Sequence, residues 1–223
     1  MRPRGFHDKT LIAVSGVDGA GKSSLIADLV RRLADVGVLA DVVWFRPGMG
    51  MGWLERAVRA AKRVLGQPQT PAMRDVVNAA SLPSRRGAIG FVWCLLVTMT
   101  YLRGVRSQLR TANSTIICDR HLLDAIVTLR VFYQDVNTRL PVLLVRWLLP
   151  AAAVTLYLKV PVDVALERKP GDTIGRAAVT AQVLRYEKEA RHMALCVLDS
   201  TLPFDDVADE AWACLAKIIP AAA

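Results

Sequence analysis

Residues Gly16-Val17-Asp18-Gly19-Ala20-Gly21-Lys22-Ser23 read G-x-x-x-x-G-K-S, and they stand between two patterns of different period. Before them, Thr10 to Ser15 (TLIAVS) is a short apolar run of strand length. After them, Leu25, Leu29 and Leu33 recur at helical spacing with Ile26 and Val30 beside them, and Gly37 stops the pattern. Strand, glycine-rich loop and helix in that order constrain the chain strongly, because the loop needs a sheet edge on one side and a helix start on the other. Glycines let backbone N–H groups converge on phosphate oxygens, and the positive end of the new helix faces the same anion. In such a loop Lys22 neutralises the β- and γ-phosphates, and the Ser23 hydroxyl completes a Mg²⁺ shell. Gly16 through Ser24 are therefore the expected contacts of ATP, with Mg²⁺ beside them.

The rest of the chain continues the alternation. Asp41 to Phe45, Ser114 to Cys118, Val154 to Val160 and Val197 to Asp199 read as further strands. Helical patterns separate them, including Val179 to Leu195 and Asp205 to Ile219, where Val207, Ala211, Leu215 and Ile218 form one apolar stripe. Such alternation predicts an α/β fold: a parallel sheet of about five strands with helices on both faces. With 223 residues, 53% of them apolar, the chain suits a single domain over 1–223. Residues 47–86 break the rhythm with a Gly/Met-rich loop, a basic helical pattern from Trp53 to Leu65 and a Pro/Gln/Ser-rich stretch. They are expected to form a helical insertion after the second strand, too long for an ordinary connection.

The net charge of +9 favours anionic partners. Nucleic acid is not expected, since no recognition module accompanies the charge. The basic pattern Trp53 to Leu65, with Arg56, Arg59, Lys62 and Arg63 beside an apolar face, reads as a surface helix; a peripheral membrane contact is its alternative. Gly87 to Leu102 is sixteen uncharged residues between Arg86 and Arg103. That is short of the roughly 20 that span a bilayer, so it reads as a buried central helix, with membrane insertion as the alternative. Cys94, Cys118, Cys196 and Cys214 are widely spaced in apolar runs and read as buried reduced thiols of a cytoplasmic protein.

A second chemical signal closes the third strand: Cys118-Asp119-Arg120-His121. The carboxyl edge of an open α/β sheet is where ligands bind. A carboxylate there can assist Mg²⁺, and a neighbouring arginine can hold a transferring phosphate through two parallel hydrogen bonds. Asp119, Arg120 and Lys22 are thus candidate catalytic residues, with Ser23 and Asp119 the candidate metal ligands.

Together these stretches resemble the thymidylate kinase family. The loop GVDGAGKSS matches its GxDGxGK[ST] pattern, and Asp119-Arg120-His121 matches its DR[YFH]. Arg46-Pro47-Gly48 looks like its turn after the second strand, and Val160 to Arg168 (VPVDVALER) like the start of its lid. The likeness covers residues 10–50 and 95–219. It implies ATP as phosphate donor, Mg²⁺ as cofactor, a small phosphorylated acceptor such as dTMP or a related nucleoside monophosphate, and a homodimer. By the same resemblance Asp18 would lie near the acceptor sugar, Arg46 and Arg120 near the acceptor phosphate, and Arg168 near the ATP phosphates. A short lid would span about 168–178, with Lys169 and Arg176 as lesser candidates. Departures fall on the acceptor side. The glutamate of the family's R-E-P-G-G turn is missing, and its helix-borne arginine would align near Thr98, where Arg103 is the nearest substitute. The DR-x-LLD stretch from Asp119 to Asp124 also marks a divergent branch. Acceptors other than a nucleoside monophosphate (a nucleoside, a sugar or a lipid-linked molecule) therefore stay open, as does a non-kinase ATP-binding switch.

Overall fold

In a computed structural model the chain is described over residues 9–44, 87–112, 114–168 and 175–219. The expected insertion over 47–86, with its basic helix, lies outside the described residues. So do Arg46, Lys169 and most of the expected lid.

Five parallel strands form one sheet in the order β2-β3-β1-β4-β5: β1 Thr10–Ser15, β2 Ala40–Trp44, β3 Thr115–Asp119, β4 Val154–Lys159 and β5 Cys196–Asp199. Seven helices are described: α1 Lys22–Asp35, α2 Gly87–Thr111, α3 Leu122–Phe132, α4 Arg139–Leu148, α5 Val162–Glu167, α6 Arg176–Ala190 and α7 Phe204–Ala216. The fold class is the one the alternation of strands and helices predicts. Helices α3 and α4 carried no expectation of their own. The third strand runs one residue further than its apolar core, so Asp119 ends the strand instead of following it.

Alternation along the strands divides the core into two layers. Ile12, Val14, Ile117, Leu156 and Leu158 face a cluster completed by Leu25, Leu29 and Leu33 of α1 and by Val207, Ala211 and Leu215 of α7. Leu11, Val43, Ile116 and Cys118 face the opposite cluster, with Tyr101, Val105 and Leu109 of α2 and Val142 and Val145 of α4. Helix α3 serves both: Leu123 and Val127 enter the first cluster, Ala125, Ile126 and Leu129 the second. The central strands β1 and β3 are buried on both faces, which explains why their sequences show apolar runs instead of strict alternation.

The uncharged run from Gly87 is part of α2, whose Cys94, Val97, Thr98, Tyr101 and Leu102 are buried. Thr98 is accommodated there because its hydroxyl donates to the Cys94 carbonyl at 2.8 Å. Among the described residues no helix is long and apolar enough to cross a membrane. At the other end of α2, the Lys9 ammonium donates to the carbonyls of Leu109, Arg110 and Ala112 at 2.6, 3.2 and 2.6 Å. It satisfies orphan carbonyls and offsets the negative helix end.

The expectation of four reduced thiols is corrected. Cys196 of β5 and Cys214 of α7 form a disulfide, while Cys94 and Cys118 are free and buried. Helix α7 folds back against β5. Residues 18 apart in sequence thereby meet, a pairing that spacing alone does not reveal.

Candidate active site

Strands β1 and β3 lie side by side and in register, Val14 opposite Asp119, and β2 brings Trp44 opposite Asp119 on the other side. All three end at the same sheet edge. The chain leaves β1 for β2 on one side and later leaves β3 for β4 on the other, so this edge is a topological switch point, where open sheets bind ligands. A cleft of about 480 Å³ opens there, lined by Asp18, Gly19, Gly21, Lys22, Ser23, Ser24, Trp44, Asp119, Arg120 and Arg168.

The glycine loop wraps between strand and helix as its sequence requires. Gly19 has φ of +87°, and a Cβ placed on it would lie 2.3 Å from the carbonyl oxygen of Ala165 in α5. Both backbone conformation and close packing therefore demand glycine there. Val17 and Ala20 are buried and anchor the loop to the core; Ser23 and Ser24 are exposed to the cleft at the start of α1.

Lys22 is buried, and its ammonium donates to the carbonyls of Gly16 and Val17 at 2.8 and 2.7 Å, with Asp18 Oδ1 at 3.8 Å. Burial, followed by repulsion from Arg120, brings its pKa down to about 8 despite the nearby carboxylates Asp124, Asp18 and Asp119.

Arg120 follows β3 in the left-handed region, φ +72°. Its amide donates to the Val14 carbonyl at 3.0 Å, which fixes the turn to β1. The guanidinium is ion-paired to Asp18 of the loop and stands 3.7 Å from Asp124 Oδ1. Burial opposes its charge, but Tyr186, Asp124, Asp18 and Asp119 together outweigh burial and keep it firmly protonated.

Asp119 has a buried Oδ1 with no hydrogen-bond partner. Burial raises its pKa, against the opposing pull of Lys22 and Arg120. A buried carboxylate oxygen without a donor, beside an exposed serine hydroxyl on the same cleft, fits a hard divalent cation that takes oxygen ligands. No group of three or more His, Cys, Asp or Glu side chains that could hold a metal occurs among the described residues. Ser23 and Asp119 would therefore have to share such a cation with water and phosphate oxygens.

Arg168 caps α5 and reaches across the loop. Its Nη1 donates to Ser200 Oγ and its Nη2 to the Ser200 carbonyl, both at 2.8 Å, while Ser200 Oγ donates to the Ala20 carbonyl at 2.8 Å. Ser200 was not foreseen; its place just beyond β5, on the carboxyl edge of the sheet, was the available signal. Arg103 is exposed on α2 and does not line the cleft. Arg176 is exposed and pairs with Asp163. His121 is buried with Nε2 unpartnered, and burial lowers its pKa to about 4, so it is neutral.

The chain is 30% identical over 207 residues to a probable thymidylate kinase of Methanospirillum hungatei, covering 86% of this chain and 87% of that one. No protein-family signature matches it. Its fold is that of a deoxyadenosine kinase from M. mycoides solved with the products dCMP and a flexible dCDP: TM-score 0.59, 20% identity, 94% of this chain and 100% of that one. The same enzyme with bound dATP superposes with TM-score 0.56 at 19% identity, over 92% and 98% of the two chains. The likeness to the Methanospirillum hungatei relative covers most of both chains, and with it this chain belongs to the thymidylate kinase family and is a nucleotide kinase.

Proposed function

We propose that the enzyme transfers the γ-phosphoryl group of ATP, with Mg²⁺, to dTMP or a closely related nucleoside monophosphate. The observation that carries this reading is the meeting of Asp18 with Arg120 above Lys22: loop and third strand deliver their charged residues to one cleft. A phosphate acceptor is already an ionised nucleophile and needs no general base, only cations to hold it and bring it in line. Lys22, Arg120 and Arg168 supply three such cations on the cleft wall. No glutamate follows the second strand in Phe45-Arg46-Pro47, which also favours an acceptor that is already phosphorylated.

In this reading the loop amides and Lys22 hold the triphosphate tail, and Arg120 orients the acceptor phosphate toward it. Arg168 stabilises charge on the group in transit. Ser23 and Asp119 would hold Mg²⁺, which when bound neutralises the β- and γ-phosphoryl oxygens. Asp18, which lines the cleft, would face the acceptor sugar.

A second reading has a nucleoside hydroxyl as acceptor. The unpartnered Asp119 Oδ1, with its pKa pushed upward, favours it, because a hydroxyl needs a carboxylate base. One experiment decides between them: ADP release from Mg·ATP with a panel of dTMP, dUMP, other monophosphates and nucleosides. Turnover stimulated by dTMP or a sister monophosphate supports the first reading, and turnover with nucleosides alone overturns it. Lys22→Ala should lower the stimulated rate by at least about a hundredfold.

A further inference from the structure

Asp124 is a buried carboxylate on the first turn of α3, 1% exposed. A charge so placed is costly unless its environment compensates it. One oxygen has an ordinary explanation: Oδ2 accepts from the His121 N–H at 3.3 Å, closing the helix start. Closing the helix start engages one oxygen only, so it does not explain the second. Oδ1 accepts the hydroxyl of Tyr186 at 2.6 Å and stands 3.7 Å from Arg120 Nη1. Tyr186 itself is buried in α6 and stacks on Tyr157 of β4, ring centroids 5.8 Å apart. The guanidinium of Arg120 is thus held between two carboxylates of different standing. Asp18 lies on the cleft wall, partly exposed, whereas Asp124 is sealed behind it with its hydroxyl partner.

We propose that Asp124, fixed by Tyr186, is the positioning residue that aims Arg120 into the cleft for phosphoryl transfer. Asp18 can be exchanged for anionic oxygens of a substrate, and Asp124 cannot. The Nη2 end of the guanidinium, paired with Asp18, is the end offered to substrate; the Nη1 end is retained. Arg120 is also a non-glycine residue in the left-handed region, a backbone state that costs about 1 kcal/mol and that its amide bond to the Val14 carbonyl fixes. Displacing a positioned arginine by an ångström is enough to lose much of its effect on a rate. This inference rests on the reading above in which Arg120 holds a phosphate.

The test is a mutant cycle on the full chain: Asp124→Asn, Tyr186→Phe, Arg120→Ala and the double variant of Asp124→Asn with Arg120→Ala. Activity is read as ADP release with the fastest monophosphate of the panel, and each variant is checked by thermal melting. Tyr186→Phe, which removes one oxygen only, should lower kcat about tenfold and leave KM for ATP within about twofold. Asp124→Asn should lower kcat about a hundredfold. The Asp124→Asn loss should not add to that of Arg120→Ala in the double variant, since the effect runs through the same guanidinium. An inactive Arg120→Ala together with folded, fully active Asp124→Asn and Tyr186→Phe overturns the positioning role alone. Losses that multiply in the double variant overturn it too. A fully active Arg120→Ala overturns both this role and the phosphate-holding reading beneath it.

Discussion

Arg168 and Ser200 are joined twice, guanidinium to hydroxyl and guanidinium to carbonyl, each at 2.8 Å. The hydroxyl passes the contact on to the Ala20 carbonyl in the glycine loop. An arginine at the end of a six-residue helix is thereby tied to the loop it is meant to serve. Ser200→Ala deletes the hydroxyl and leaves the carbonyl link. Steady-state kinetics should show kcat reduced about tenfold, because the orientation of Arg168 and its tie to the Ala20 carbonyl of the loop are both loosened. An unchanged kcat would remove Ser200 from the site.

Lys22 gives the site a pH signature. Burial and then Arg120 bring its pKa to about 8, so the free enzyme loses this charge as pH rises through 8. A triphosphate binds the protonated form. ATP affinity, measured by calorimetry between pH 6.5 and 9.5, should be level below about 8. Above that point it should weaken by up to about tenfold per pH unit. A flat profile across the range would argue that Lys22 does not contact the triphosphate.

His121 makes the opposite prediction at acid pH, and for stability. Its pKa is near 4 in the folded chain, because burial opposes its charge, and 6.5 when unfolded. Between these values the unfolded state binds more protons, so stability is complete above pH 6.5 and is lost as pH falls toward 4. The loss should reach roughly 3 kcal/mol at about 1.4 kcal/mol per unit. Denaturant titrations of the parent and of His121→Asn at a series of pH values should differ in slope within that window and run parallel above it. Parallel curves throughout would mean that the imidazole charges freely in the fold.

Oxidised protein should present Cys94 and Cys118 as its free thiols, and reduction should release Cys196 and Cys214 in addition. Counting thiols in denaturant before and after reduction checks this directly. Closing a loop of this size stabilises by about 3 kcal/mol in the chain-entropy account, so reduction should lower the melting temperature. Four free thiols in non-reducing buffer would restore the expectation drawn from spacing.

What the sequence disclosed and what it hid divide along a physical line. The glycine loop and Asp119-Arg120 were legible because their chemistry is encoded in consecutive residues, and strand-loop-helix context is itself local. The parallel sheet with helices on both faces was legible for the same reason, as apolar runs of strand and helix length, although α3 and α4, which help fill both core layers, were not read. Ser200 and Tyr186 were not, since each acquires its meaning from a residue far away in the chain, and the Cys196–Cys214 bond was not, since it depends on how α7 folds back on β5. Tyr186 reads as one more residue of an amphipathic helix until α6 packs on α3 and turns its hydroxyl to Asp124. Asp124 was visible only as an oddity of the DR-x-LLD stretch; its burial could not be.

Asp18 and Arg120 are 102 residues apart and meet only because β1 and β3 are neighbours in the sheet. Pairing between such distant segments carries a heavy entropic toll and is slow to arise in a folding chain. Half-formed molecules, whatever local helices they possess, have the two halves of the cleft on separate pieces of chain. Recovery of catalytic turnover after dilution from denaturant therefore clocks the joining of the central strand pair, and fragments that stop short of β3 should carry a phosphate loop with no partner to complete it.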